Sequence, residues 1–125
     1  MKKVYYLEVD KKRIGHTEFE YADPPMGVVY GKILFNGIKF PYDFLKDHCV
    51  KYNVQINSDD PNHRFIDTVI IPRLKVFLPS GEELMGWGGA INGTEADGFE
   101  IQFSGISSEI MQNEFVHHYL KYYGQ

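Results

Sequence analysis

The sequence is poor in cysteine and has no long apolar run. Its single cysteine excludes an intramolecular disulfide and a zinc site built from several cysteines. No hydrophobic stretch approaches the roughly 20 residues that a membrane-spanning helix needs. The apolar run 4–7 near the N-terminus is also too short for the core of a signal peptide. We therefore expect a cytoplasmic protein that does not bind membranes.

Basic residues are also scarce, and their distribution is uneven. The chain has 13 Lys and Arg residues against 17 Asp and Glu residues, a formal net charge of −4. Nucleic-acid binding requires a basic face, so no nucleic acid is expected as a partner. Between Val76 and Leu120 there is no Lys or Arg, while seven acidic residues occur there: Glu82, Glu83, Glu95, Asp97, Glu100, Glu109 and Glu114. A surface of one sign favours association with a basic protein, although solubility alone also explains it.

The chain has the length of one domain, residues 1–125. Short alternating or β-branched segments, separated by Gly, Pro and Asn-Gly turn signals, predict about seven or eight β-strands. They include an N-terminal hairpin 4–9 and 14–21, a strand 28–35, and strands 83–91 and 99–103. The segment 65–78, interrupted by Pro72, is expected to form two short strands or one bulged edge strand. The segment 57–64 is expected to be a polar loop.

Two segments, about 41–52 and 108–123, have helical periodicity. In the first, Leu45, Cys49 and Tyr52 lie on one apolar face. The second has an apolar stripe that includes Met111 and Phe115, and serines that suit an N-cap precede it. The fold class expected is therefore α+β, an antiparallel β-sheet of about seven or eight short strands with two helices.

Candidates for catalysis or metal binding are few. Strand alternation would place His16, Glu18 and Glu20 on one face, which suits a metal ion but is also typical of a solvated strand. Glu114 is within helical reach of His117 and His118. The chain has no nucleophile elbow and no phosphate-binding loop. We expect no catalytic residue, no metal and no cofactor, with a metal-assisted or small-molecule enzyme as the alternative.

The most distinctive string is Gly86-Trp87-Gly88-Gly89, whose glycines indicate a bulge or a close backbone approach. Trp87 is either a core residue or an exposed anchor. With the charge distribution, this predicts a non-enzymatic module that binds a basic protein, immunity-type toxin neutralisation being one form. The residues expected at the partner-binding surface are Glu82, Glu83, Trp87, Glu95, Asp97, Glu100 and Tyr30. A self-associating, homo-oligomeric structural domain is a further alternative.

The chain contains MGVVYGK at 26–32, ELMGWGG at 83–89 and FVHHY at 115–119. Together with the hairpins between them, these strings resemble a group of small, uncharacterised bacterial proteins. The resemblance implies a bacterial protein of one domain, with no assigned activity or site. Where an Asp-Gly reversal would be expected at the first turn, this chain has Asp10 followed by Lys11.

Overall fold

The computed structural model describes residues 3–124, which form ten β-strands and three α-helices. The strands are β1 (Tyr5–Val9), β2 (Lys12–Thr17), β3 (Tyr21–Asp23), β4 (Val28–Lys32), β5 (Leu34–Phe35), β6 (Ile56–Asp60), β7 (Phe65–Thr68), β8 (Leu74–Phe77), β9 (Gly88–Thr94) and β10 (Gly98–Ser104). The helices are α1 (Pro41–Lys51), α2 (Ser108–Asn113) and α3 (Val116–Tyr123). In this part of the chain, no helix is long and apolar enough to cross a membrane.

The strands form two antiparallel sheets, which confirms the α+β class. The first sheet has the order β5-β2-β1-β8, and the second has the order β3-β4-β10-β9-β7-β6. Buried side chains of both sheets belong to one core cluster, with Leu7 and Val76 from the first sheet and Ile91 and Ile101 from the second. Ile91 and Ile101 pair directly across the β9–β10 hairpin. One shared core therefore holds the two sheets together.

At two of the points where the chain passes from one sheet to the other, the sequence predicts an unbroken strand. The predicted strand 14–21 ends in the first sheet at Thr17 and resumes in the second sheet at Tyr21. The predicted strand 28–35 divides around Ile33 in the same way, since β4 pairs with β10 and β5 with β2. Each crossing lets the chain contribute to both sheets, which explains why there are more strands than predicted.

The predicted helix 108–123 is wrong in one respect, because the structure divides it into α2 and α3. Phe115, at the break, has φ −107° and ψ 43°, outside the helical region. Its buried ring packs on Tyr5 at a centroid distance of 5.3 Å and on Phe19 at 6.1 Å. The carboxylate of Glu114 accepts hydrogen bonds from Nζ of Lys3 and from the hydroxyl of Tyr5. These contacts with Lys3, Tyr5 and Phe19 hold the two residues away from the straight path of one helix.

Two further boundaries differ from expectation. Residues 57–60, predicted as polar loop, belong to β6, whose Asp59 pairs with Ile66 of β7. Pairing with an existing sheet edge overrides the low strand propensity of Asn and Asp. The strand predicted at 83–91 starts only at Gly88. Before it, Glu83 pairs with Phe77 in an isolated bridge and does not extend the strand. Helix α1 lies where it was predicted.

The helices contact opposite ends of β1. At the C-terminal end, the hydroxyl of Tyr52, which follows α1, donates to Asp10 at 2.8 Å. At the N-terminal end, the hydroxyl of Tyr5 donates to Glu114, between α2 and α3, also at 2.8 Å. A strand of five residues spans about 17 Å. The surfaces around α1 and around α2 and α3 are therefore separate.

Candidate functional site

The most exposed aromatic side chain belongs to the loop that joins β8 to β9, residues 78–87. Trp87 is 77% exposed and Met85 is 63% exposed. Leu84, the residue before Met85, is buried. The loop is fixed by two backbone hydrogen bonds, from Leu84 to Val76 at 2.8 Å and from Leu78 to Glu82 at 2.7 Å. Trp87 is therefore an exposed residue on an ordered loop and does not belong to the core.

Close contact with β10 and the residue after it holds Trp87 in place. The backbone N–H of Trp87 donates to the carbonyl oxygen of Ser104 at 2.9 Å. A Cβ added at Gly105 would overlap the indole of Trp87, so the ring lies directly on this backbone. A Cβ added at Gly86 would lie 2.7 Å from the carbonyl oxygen of Ser104. The glycines thus permit the close backbone approach that their spacing predicts.

An acidic groove, defined here as the recess of about 290 Å³ between this loop and α2, has Met85, two residues before Trp87, in its lining. It is lined by Leu78, Glu82, Glu83, Leu84, Met85, Glu109, Ile110, Asn113 and Glu114. Its walls combine four carboxylates with apolar side chains, and it has no Lys or Arg in this lining. Lys75 approaches from outside, with its Nζ 3.9 Å from Glu83 Oε1. The groove therefore presents negative charge beside an apolar surface.

A larger recess, defined here as the cleft, has a volume of about 630 Å³. Its lining comes from three segments distant in sequence: Lys3 and Tyr5, the crossing 18–20, and the helix break and first turn of α3 at 114–118. Glu114 lines both the cleft and the acidic groove. The two recesses consequently share this residue.

The carboxylate of Glu114 is held by two partners from the N-terminal segment. Its Oε2 accepts from the hydroxyl of Tyr5 at 2.8 Å and from Nζ of Lys3 at 3.1 Å. Burial of Tyr5 and its hydrogen bond to Glu114 raise the pKa of the phenol well above its usual range. The phenol thus remains a hydrogen-bond donor at every pH at which the protein would be studied.

The crossing at 18–20 has a strained backbone conformation. Phe19 is buried with φ +45°, a value that aromatic residues rarely adopt. Its N–H is 3.2 Å from Thr17 Oγ1, and its carbonyl accepts from Nε2 of His118 at 2.7 Å. A carbonyl can only accept, so Nε2 of His118 carries a proton. Such strain persists only where the surroundings enforce it, and it is frequent at functional sites.

The residues predicted for partner binding lie in three separate places. Glu82 and Glu83 line the acidic groove, and Trp87 is exposed on the same loop. Tyr30 and Glu100 line a shallow recess on the outer face of the second sheet, where Tyr30 stacks on Tyr21 at 5.4 Å. Glu95 and the exposed Asp97 lie at the β9–β10 turn.

Glu95 takes part in contacts within the protein. Its carboxylate forms an ion pair with Arg64, which also contacts Asp43 at 2.7 Å, and accepts from the backbone N–H of Tyr42 at 3.1 Å. The Arg64 side chain holds the pKa of Glu95 below its ordinary value. Glu95 thus joins the β9–β10 turn to α1.

The shared face predicted for His16, Glu18 and Glu20 does not form. Strand β2 ends at Thr17, and the positive φ of Phe19 interrupts the alternation. His16 lies beside Tyr6, at a ring distance of 6.3 Å, whereas Glu18 and Glu20 line the cleft. Among residues 3–124, no group of three His, Cys, Asp or Glu side chains is arranged to hold a metal ion.

Three residues of the site were not identified from the sequence: Lys3, Tyr5 and Gly105. Lys3 and Tyr5 are 111 and 109 residues from their partner Glu114. No local periodicity signals a contact of that separation. The sequence does not distinguish Gly105 from an ordinary turn glycine, because its contact with the indole of Trp87 forms only in the folded chain.

No protein-family model, curated protein or solved structure matches this chain. Its function is therefore inferred from the surfaces described above.

Proposed function

We propose that the protein is a non-enzymatic binding module that recognises a basic protein through the acidic groove and Trp87. The exposure of Trp87, 77% on an ordered loop, carries this proposal. Large exposed aromatic side chains are favoured at the centres of protein interfaces, where they bury much apolar area at little cost in side-chain entropy. Neutralisation of a basic toxin, as immunity proteins perform it, is one form of this function.

The charge of the groove supports a basic partner. Glu82, Glu83 and Glu109 line the groove, where Lys75 contacts Glu83 and Lys3 contacts the fourth carboxylate, Glu114. Like-signed carboxylates accelerate encounter with a basic surface and repel acidic ones. The apolar surface of Met85 and Trp87 would then provide the short-range part of the affinity.

Affinity capture from lysate of the native host, followed by mass spectrometry, tests the proposal. The immobilised baits are the wild-type chain, Trp87→Ala, Glu82→Lys and the control Asp47→Lys. Asp47 is exposed on α1, away from the groove, and its reversal changes the net charge by the same amount as that of Glu82. We expect a basic protein on the wild type and on Asp47→Lys, with strong depletion on Trp87→Ala and Glu82→Lys.

Two outcomes would contradict the proposal. Equal capture by the wild type and Trp87→Ala would remove the exposed indole from the interface. Recovery of only acidic proteins, or of none above an uncoupled matrix, would remove the basic partner itself.

A further inference from the structure

The geometry points to one continuous channel, formed by the acidic groove and the cleft, that binds an extended lysine- or arginine-bearing segment of the partner. This inference rests on the proposed function, and it adds the part of the partner that is bound and a second region of contact. The cleft was not part of the surface expected from the acidic C-terminal half, because its three lining segments meet only in the folded chain.

The two recesses share Glu114, which suggests that one ligand can occupy both. This residue is in the lining of the groove of about 290 Å³ and in that of the cleft of about 630 Å³. Trp87 lies on Gly105, three residues before α2 begins at Ser108, and Met85 of the same loop lines the groove. An extended chain could thus run from Trp87 along α2 and past Glu114 into the cleft.

Carboxylates outnumber cations along this path. Glu82, Glu83 and Glu109 line the groove, and Glu20 is exposed in the lining of the cleft. Lys3 is the one Lys or Arg among the described residues that line either recess. A segment with several cations would therefore be attracted to both recesses, whereas an acidic segment would be repelled.

Lys3 shows how the junction holds an ammonium group. Its Nζ lies 3.0 Å from the carbonyl oxygen of Glu114 and 3.1 Å from its Oε2. A lysine or arginine of the partner would find the same two acceptors there. Because Lys3 already occupies them, the partner's cation would compete with it or bind at the neighbouring carboxylates.

The walls of the cleft are fixed before any ligand binds. The hydroxyl of Tyr5 holds Glu114 at 2.8 Å, and the ring of His118 holds the Phe19 carbonyl at 2.7 Å. Val116, which is 45% exposed, contributes apolar surface to the lining, whereas the rings of Tyr5, Phe19 and Phe115 are buried. Such a surface suits the aliphatic stem of a lysine or arginine, and a preformed site loses little entropy on binding.

The test is a titration of a fluorescein-labelled arginine–serine repeat peptide with the full-length protein, followed by fluorescence anisotropy at low salt. A glutamate–serine repeat peptide is the negative probe. The variants are Glu109→Lys in the groove, Glu20→Lys in the cleft and Lys3→Met at the junction, with Asp47→Lys as the matched charge control. Circular dichroism verifies folding, and Glu20→Gln and Glu109→Gln replace any reversal that fails to fold.

We expect the arginine peptide to bind the wild type and Asp47→Lys alike, and the glutamate peptide to bind neither. Glu109→Lys and Glu20→Lys should each weaken binding of the arginine peptide by about tenfold, and Lys3→Met should strengthen it. The emission of Trp87, the single tryptophan of the chain, should change on binding.

Results that would overturn the inference differ from those that would overturn the proposed function. If Glu20→Lys bound the arginine peptide as tightly as the wild type does, the cleft would not be part of the binding site, and the inference would be wrong. An equal loss in Asp47→Lys would show attraction to the net charge alone. If the arginine peptide fails to bind while capture of a basic protein still depends on Trp87, the channel is wrong and the proposed function stands.

Discussion

The indole of Trp87 lies directly on the backbone of Gly105, so closely that a Cβ at residue 105 would overlap the ring. One face of the most exposed aromatic side chain is thus covered by main chain, and the rest of the side chain faces solvent. This contact fixes the orientation of Trp87 without burying it. A rigid exposed ring loses little conformational entropy when a partner covers it.

Gly105→Ala should displace the indole and destabilise the fold by roughly 1–3 kcal/mol. Two effects contribute, the contact with Trp87 and the φ of +75° at Gly105. Urea denaturation gives the free energy of unfolding, and the emission maximum of the single tryptophan reports on the displaced ring.

Gly37→Ala is the matched control, because Gly37 has φ +76° and, among residues 3–124 other than its chain neighbours, no heavy atom lies within 4 Å of the position that a Cβ would take there. It isolates the backbone penalty, so we expect it to be less destabilising than Gly105→Ala and to leave the tryptophan emission unchanged. Equal free energies of unfolding in the two variants would show that the ring does not press on residue 105.

Tyr5→Phe should lower the free energy of unfolding by about 1–2 kcal/mol, because Glu114 loses a hydrogen bond from a buried donor. The ring packing on Phe115 would remain, so the loss is that of the hydroxyl alone. Chemical denaturation at neutral pH measures it. Tyr6→Phe is the control, since Tyr6 is half-buried and its contact with Arg13 uses the ring, at 3.9 Å from the guanidinium carbon. A loss as large in Tyr6→Phe would contradict the assignment to Glu114.

Glu95→Gln should lower the stability by roughly 1 kcal/mol at neutral pH, as the ion pair with Arg64 is partly exposed. Arg64 lowers the pKa of Glu95 from its ordinary value of 4.5. The unfolded chain therefore binds a proton at a higher pH than the folded chain does. The contribution of the ionised Glu95 to the free energy of unfolding is fully present above pH 4.5 and is lost as the pH falls through the lowered pKa of the folded state.

Urea denaturation of the wild type and Glu95→Gln at several pH values measures this dependence. The two free energies of unfolding should converge on acidification. Asp97→Asn, two residues away at an exposed position, is the control and should show a smaller difference from the wild type at neutral pH. A gap between wild type and Glu95→Gln that widens on acidification would reverse the predicted sign.

Gly31→Ala should destabilise the fold by roughly 1–3 kcal/mol, although its backbone is not in the left-handed region. Its Cβ would lie 2.7 Å from Thr17 Oγ1 and 2.9 Å from the Cα of Phe19, and it would also overlap the Glu20 carboxylate. The substitution therefore pushes on the crossing 18–20 that borders the cleft. Denaturation measures the loss, and changes in the NMR shifts of Phe19 and Glu20 would locate it. If Gly31→Ala were as stable as the wild type, the crossing 18–20 would shift at no cost in the free energy of unfolding, which would contradict the prediction.

Local patterns were sufficient to predict the α+β class, the helix α1 and the hairpin formed by β1 with β2. Alternation and helical periodicity involve neighbours in sequence, and these elements bury the faces that the patterns indicate. The strand at 57–60 was missed because its ladder depends on β7, not on its own polar residues. Of the residues predicted for partner binding, the structure places Glu82 and Glu83, which are neighbours in the chain, in the lining of the groove. Their part in binding stays a prediction.

By itself, the sequence determined the periodicity of the elements, the excess of carboxylates after Val76 and the glycines that a close backbone approach requires. Only the tertiary structure decided that Trp87 is exposed, that the last helix breaks at Phe115 and that Glu18 and Glu20 border a cleft with Glu114. The physical reason is the same in each case. These features depend on contacts between residues distant in the chain, such as Tyr5 with Glu114 and Phe19 with His118, and such contacts leave no period in the sequence.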